Sequence, residues 1–209
     1  QRWIASAAPK AGGKYLARFH SPSEAPEDET VADFDVVKLT GKSYFPSSVK
    51  EDQDSDVGSA VHGYLAAIPS LSAVDETGKS AIAQRCLASF DVTGVLEPQD
   101  IVAAGDRFVE WVDAHFKGAT WLTEVPATAP RTAGGQWKGI LDLVLQLPDG
   151  RAVIVDHKSA PIKLENCADY AGHYSEQLLA YREMIEATGT VVDSVWIHFP
   201  LTGAMAKQL

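Results

Sequence analysis

The chain has 209 residues, 45% of them hydrophobic and 22% charged, which suffices for one sizeable folded domain without a disulfide or a structural metal. No apolar run approaches the roughly 20 residues that cross a bilayer, and two cysteines are too few for a self-contained zinc or iron–sulfur site. The net charge of −10 argues against a free-standing protein that grips DNA tightly through a basic surface.

The first quarter of the chain is predicted to lie outside the folded domain. A chain that begins with Gln1 suggests a fragment of a longer protein, and residues 1–20 have the mixed composition of a segment that starts with a short helix. Residues 21–56 are acidic and punctuated by proline, so they repel one another and offer little apolar area. We therefore predict an N-terminal extension and acidic linker over residues 1–56, partly ordered at best, and a domain over residues 57–209.

The domain begins with helices and continues with strands. Hydrophobic periodicity predicts three helices, at residues 57–68, 79–88 and 98–116, the last with Pro98 in its first turn. Strands follow at residues 121–125, where Pro126 closes the strand, and at 139–147, 151–155 and 191–199, with a helix over 174–187 before the last strand. This order predicts an α/β fold with a small mixed β-sheet flanked by helices.

The two central strands form a predicted hairpin that brings two carboxylates together. The Pro148-Asp149-Gly150 turn joins them, and Asp142 and Asp156 each lie seven residues from its centre. Residues equidistant from a hairpin turn face each other, with Cβ atoms about 5 Å apart. The leucines at 141, 143, 145 and 147 point to one face, Asp142 points to the other, and Lys158 shares a face with Asp156.

Paired carboxylates in an apolar strand pair need a compensating charge. Without one, one of the two acids has to take up a proton. Magnesium prefers oxygen ligands of this kind, and a lysine beside it can offset charge that develops on a phosphate. Either acid alone is usually a solvated strand-end residue, so the prediction of a phosphodiester-cleaving site depends on the combination.

Four motifs in order resemble one nuclease family. The segments Gly139–Val144 and Ala152–Ser159 look like the core of the PD-(D/E)xK nucleases, and more narrowly of the RecB-type exonuclease branch. Residues 58–62 (GSAVH) resemble the first motif of that branch, and residues 177–181 (QLLAY) resemble its glutamine-x-x-x-tyrosine motif. The resemblance covers residue 58 to the end of the chain and implies a restriction-endonuclease-like core.

The resemblance also implies roles for individual residues. The catalytic residues would be Asp142, Asp156 and Lys158. The ligands of Mg²⁺, for which Mn²⁺ can substitute, would be His62, Asp142, Asp156 and the backbone carbonyl of His157. Gln177 and Tyr181 would line the site or bind the DNA substrate, since residues at i and i+4 share a helix face. Glu124 is either a further carboxylate near the site or a surface residue.

The family further implies a biological setting. In this branch the domain lies at the C-terminus of helicase-nucleases, such as the AddA subunit and the exonuclease V beta subunit. We therefore expect a Mg²⁺-dependent exodeoxyribonuclease that processes DNA break ends, fed with single-stranded DNA by a helicase motor domain in the same full-length chain, with or without a second subunit. We expect it in the cytoplasm and away from membranes. Cys86 and Cys167 leave both a disulfide and two thiols open. The rivals are a catalytically silent binding module and a stand-alone recombination exonuclease.

Overall fold

The structure of the chain is a computed structural model that describes residues 19–24, 32–45, 54–132 and 134–209. The short helix predicted at the start of the chain and the acidic runs at residues 27–29 and 51–52 lie outside these ranges. Among the helices within them, each is too short or too polar to cross a membrane.

The described residues form five α-helices and seven β-strands. The helices are α1 Asp54–Ala67, α2 Glu76–Ser89, α3 Pro98–His115, α4 Cys167–Gly172 and α5 Ser175–Glu186. The strands are β1 Phe19–His20, β2 Phe34–Lys38, β3 Thr120–Pro130, β4 Gln136–Gln146, β5 Ala152–His157, β6 Val192–Phe199 and β7 Ala204–Gln208. The longer predicted helices and the β4–β5 and β6 strands are confirmed, with ends that shift by a few residues.

All seven described strands join one mixed sheet. Its order is β1-β4-β5-β6-β7-β2, and β3 pairs with β4 from Thr120 to Pro130 except at Glu124. The β5–β6 and β1–β4 pairs are parallel and the others antiparallel. Helices cover both faces, so the predicted α/β fold with a mixed sheet flanked by helices is confirmed.

The helices divide the core into three parts. On one face of the sheet, α4 and α5 bury their apolar side chains against residues such as Ile154 and Ile197. On the other face, α3 packs Phe108, Trp111 and Val112 against β4 and β5. Helices α1 and α2 then pack on α3 in a separate cluster. The β4–β5 hairpin is therefore held between two helical layers, which explains why β5 is buried along its whole length.

Two sequence predictions are wrong about extended structure. Ordered structure begins before Val57. Strand β2 pairs with β7 over five residues and forms one edge of the sheet. Apolar Phe34 and Val36 pack on the core there, although acidic residues surround them in the sequence. Strand β3 does not end at Pro126 but runs to Pro130. A strand that pairs on one side only can lose a backbone N–H on its free side, so proline is tolerated there.

Candidate active site

The hairpin has the predicted register, and it opens where the two acids lie. Leu143 pairs with Val155, which makes Asp142 and Asp156 the next pair in the ladder. The strands no longer pair there, because the Asp142 carboxylate accepts the backbone N–H of His157 at 2.8 Å and β5 continues along β6. The open end of the hairpin, which we call the fork, therefore holds Asp142 and Asp156.

The neighbouring strand is distorted at the same level. Thr123 pairs with Leu143 and Val125 with Leu141, whereas Glu124, which lies opposite Asp142, forms no pair and has a φ of 50°. Such a left-handed conformation is uncommon for a residue with a side chain. The predicted alternation of leucines breaks here, since Leu141 packs on the α5 side while Leu143 packs on the α3 side.

Asp142 is in an environment that disfavours its charge. Its pKa is raised to about 6, first by burial and then by the negative charge of Asp156, while His62, the His157 N–H and Lys158 act in the opposite direction. A carboxyl with a raised pKa beside a second acid gains stability from either a proton or a cation. The fork therefore favours binding of a positively charged ligand.

Asp156 and Lys158 are adjacent, as predicted. Asp156 is 2% exposed, and its Oδ2 lies 2.9 Å from Lys158 Nζ. The angles at this contact are not those of a hydrogen bond, so the buried oxygen lacks a donor. Lys158 Nζ also donates to Gln177 Oε1 at 3.2 Å and lies 4.1 Å from the centre of the Tyr174 ring. The lysine is thus held beside the acid rather than free in solvent.

His62 links α1 to the fork. Its Nδ1 lies 3.7 Å from Asp142 Oδ2, and its Nε2 is 2.7 Å from the backbone oxygen of His157. The backbone carbonyl of His157 is the one that the family resemblance makes a metal ligand. The side chain of His157 is buried on the α3 side, where its Nδ1 lies 3.0 Å from Nδ1 of His198, a partner that the sequence did not disclose. Burial lowers the pKa of both rings, so both are neutral.

Part of the predicted ligand set has the oxygen atoms that a hard divalent cation prefers. The ring nitrogen of His62 and the carbonyl oxygen of His157 lie 2.7 Å apart, within hydrogen-bond distance of each other. Two carboxylates and one carbonyl supply oxygen atoms, and the unsatisfied Asp156 Oδ2 is an acceptor without a donor. In the described part of the chain, no three His, Cys, Asp or Glu side chains stand in metal-binding geometry. The full ligand set therefore stays a prediction.

Gln177 and Tyr181 lie behind the lysine. Gln177 is 8% exposed and Tyr181 is 5% exposed, so neither presents a broad surface to DNA. The Gln177 amide nitrogen donates to the Tyr181 hydroxyl at 2.9 Å, and that hydroxyl donates to the carbonyl of Ile140 at 3.2 Å. This chain of hydrogen bonds connects Lys158 to β4 two residues before Asp142. Its geometry is suited to positioning the lysine.

A cavity of about 840 Å³ opens onto the fork. It is lined by residues along α1, by residues 157–161 at and after the end of β5, and by two residues in and just after α4. Its lining includes His62, Asp142, Lys158, Tyr170 and Tyr174. The two tyrosines were not singled out from the sequence. Residues 170, 174, 177 and 181 follow a helical spacing that could have indicated them.

Glu124 also reaches the cavity wall. Its exposed side chain lies across β4 from the fork, at the distorted position of β3. Of the two alternatives left open by the sequence, the structure therefore places this carboxylate near the site.

The chain was compared with protein families, solved structures and curated proteins. The family model described as the PD-(D/E)XK nuclease superfamily matches residues 32–203, which include β2 and the whole fork. Among solved structures, "Crystal structure of SSO0001" is 18% identical with a TM-score of 0.33, over 78% of this chain and 69% of that one. No curated protein matches the chain.

The family match spans most of the chain and contains the elements that build the site. Strands β2 to β6, the opened hairpin and the acid–lysine pair all fall within the matched residues. By this match, the chain belongs to the PD-(D/E)XK nuclease superfamily.

Proposed function

We propose that this chain is a divalent-metal-dependent deoxyribonuclease with Asp142, Asp156 and Lys158 as its catalytic residues. The observation that supports this best is the fork. There, two acids and a lysine meet beside a cavity, and one buried carboxylate oxygen has no hydrogen-bond donor. Nothing in strand pairing requires these three residues together. The arrangement is suited to holding a cation and a phosphate at the same place.

The residues at the fork would have different roles, some in metal binding and one in stabilising charge on the phosphate. Asp142, Asp156, His62 and the His157 carbonyl would hold Mg²⁺, or Mn²⁺ in its place. Such a cation stabilises charge on a scissile phosphate and makes water a better nucleophile at neutral pH. Lys158 would place its ammonium beside the phosphate and offset the charge that develops there. Gln177 would keep the lysine in this position through its hydrogen bond.

The wider setting is also part of the proposal. We place the domain in a helicase-nuclease that degrades DNA from broken ends, with a motor domain or a second subunit holding most of the DNA. The net charge of −10 supports this division, since little basic surface is available for a duplex. Two free cysteines, of which Cys167 is buried, fit a location in the cytoplasm.

A nuclease assay with Lys158→Ala tests the catalytic assignment. We expect linear single-stranded DNA to be cut by the wild type with Mg²⁺ or Mn²⁺, and the variant to be about 100- to 1000-fold slower, as for loss of one charge-stabilising group. Lys117→Ala, at an exposed lysine just after α3, is the matched control and should retain full activity. Equal activity in Lys158→Ala would refute the assignment.

Two further measurements address the rivals. If the wild type neither cuts DNA nor binds Mn²⁺ in a titration, the domain is a silent binding module. Digestion of linear but not circular single-stranded DNA would support the exonuclease proposal, and cutting of the circle would contradict it. A motor domain in the full-length reading frame would exclude a stand-alone recombination exonuclease.

A further inference from the structure

An aromatic cluster lies at the junction of α4 and α5, at the edge of the active-site cavity. The Tyr170 and Tyr174 rings have their centres 5.4 Å apart, and their hydroxyls are 3.1 Å apart. The exposed His173 ring lies edge-on to Tyr170, with centres 6.2 Å apart. Because Tyr174 also contacts the Lys158 ammonium, the cluster begins at the catalytic lysine and leads away from it.

Tyr170 connects three hollows of the surface. It lines the main cavity together with Asp142 and Lys158. It also lines a hollow of about 380 Å³ that reaches Pro22, and another of about 600 Å³ that reaches Lys163. His173 lines both of these smaller hollows. A single strand of DNA that leaves the fork on this side would therefore pass Tyr170 and His173.

The charges around the cluster do not favour a phosphate backbone. Glu165 and Asp169 line one hollow and Glu176 the other, against the single cation Lys163 in these linings. Contacts to phosphate are therefore weak here, whereas stacking on an aromatic ring needs no positive charge. Stacking of this kind contributes substantially to the binding of unpaired bases and tolerates any sequence.

We infer that Tyr170 and His173 form a stacking subsite for a base of single-stranded DNA whose scissile phosphate lies at the fork. This inference rests on the proposed nuclease function and adds the place where a base of the substrate strand binds. Base faces are available for stacking only when the strand is unpaired.

The first test uses the substrate rather than the protein. Abasic sites are placed one at a time along a fluorescently labelled single strand, and binding is measured with Ca²⁺ in place of Mg²⁺. We expect one position at which loss of the base weakens binding at least about five-fold. Uniform binding across all positions would overturn the subsite, and so would a wild type that binds no single-stranded DNA.

The second test changes the rings. Tyr170→Ala and His173→Ala should weaken single-strand binding, by about five-fold or more for the tyrosine, and should leave binding of blunt duplex unchanged. Tyr170→Phe should bind like the wild type, since it keeps the ring and loses only the hydroxyl. Phe90→Ala, at an exposed aromatic residue just after α2, is the matched control. Circular dichroism checks folding.

Combining the two tests separates stacking from structural damage. If the abasic position and Tyr170 form one contact, Tyr170→Ala should cause no further loss on the abasic strand. Full additivity would overturn the contact. Stacking without any cleavage in Mg²⁺ would refute the nuclease function and keep the subsite as a strand-binding site. Suppose that the wild type cleaves DNA, but neither the abasic sites nor the ring substitutions weaken binding. That result would keep the nuclease function and refute the subsite.

Discussion

The two ends of the β4–β5 hairpin contain the same residue type in opposite surroundings. At the turn, exposed Asp149 accepts the backbone N–H of Arg151 at 3.1 Å and its guanidinium at 2.8 Å, and these bonds lower the pKa of Asp149. At the fork, Asp142 is buried beside a second acid and its pKa is raised to about 6. The first carboxylate stabilises the turn that contains it. The second is destabilised as an ion, which prepares it to bind a cation.

The largest expected difference concerns stability without metal. Because the pKa of Asp142 is raised on folding, its protonated form favours the folded state, and this contribution is lost as pH rises through about 6. Asp142→Asn removes the charge and keeps an acceptor for His157. We expect it to stabilise the metal-free protein by up to about 3 kcal/mol at pH 7.5, and by about 1 kcal/mol at pH 4.5. Urea unfolding measures both values.

The matched substitution at the turn should change the stability of the metal-free protein in the opposite direction. Asp149→Asn weakens the bonds to Arg151, so it should lower stability slightly at pH 7.5 and leave DNA cleavage unchanged. A stabilising Asp149→Asn or a destabilising Asp142→Asn would show that the two ends do not differ as described.

The second expected effect is on metal binding. A proton on Asp142 competes with a cation, so affinity should fall below the pKa of about 6. We expect Mn²⁺ to bind about ten-fold more weakly at pH 5 than above pH 7, as measured by calorimetry. Affinity independent of pH over this range would remove Asp142 from the ligand set.

A smaller effect is expected behind the lysine. Tyr181→Phe removes the hydroxyl that joins Gln177 to the Ile140 carbonyl, while the ring still fills the core. Of the two hydrogen bonds that are lost, one positions Gln177 beside Lys158. Loss of such a bond costs about 1 kcal/mol, so we expect kcat to fall about five-fold with KM unchanged. Steady-state cleavage of single-stranded DNA separates the two constants. A raised KM with normal kcat would instead indicate the substrate-binding role implied by the family resemblance.

The smallest effect belongs to the turn. Gly150 has a φ of 86°, which disfavours residues with a Cβ. Gly150→Ala should lower the free energy of unfolding by about 1 kcal/mol and leave cleavage at 25 °C unchanged. Thermal unfolding and the nuclease assay check the two parts. A lost activity with intact folding would show that the turn and the fork are coupled.

The parts of the site that the sequence could predict are those with local signals. The Pro148-Asp149-Gly150 turn and the alternating apolar residues determine the hairpin register, which the structure confirms through the Leu143–Val155 pair. The helical spacing of Gln177 and Tyr181 likewise predicts a shared face. Neither signal tells which layer lies behind that face, so the prediction that the two residues line the site or bind the DNA did not include their position behind Lys158.

Other features depend on residues far apart in the chain. The pairing of β2 with β7 joins Val36 to Ala206, and no local pattern identifies such a partner. Glu124 adopts its left-handed conformation opposite Asp142 within the three-stranded β3–β4–β5 arrangement, and the contact of His157 with His198 needs the parallel β5–β6 pair. These details follow from packing of the whole sheet between its helices.

By itself, the sequence determined that two acids and a lysine would meet at the open end of one hairpin, because turn position and strand periodicity are local properties. Only the tertiary structure decided how deeply those acids are buried, which partners hold the lysine and which side chains flank the cavity. Burial and long-range contacts arise when separate elements pack together, and they set the charge state that the proposed chemistry requires.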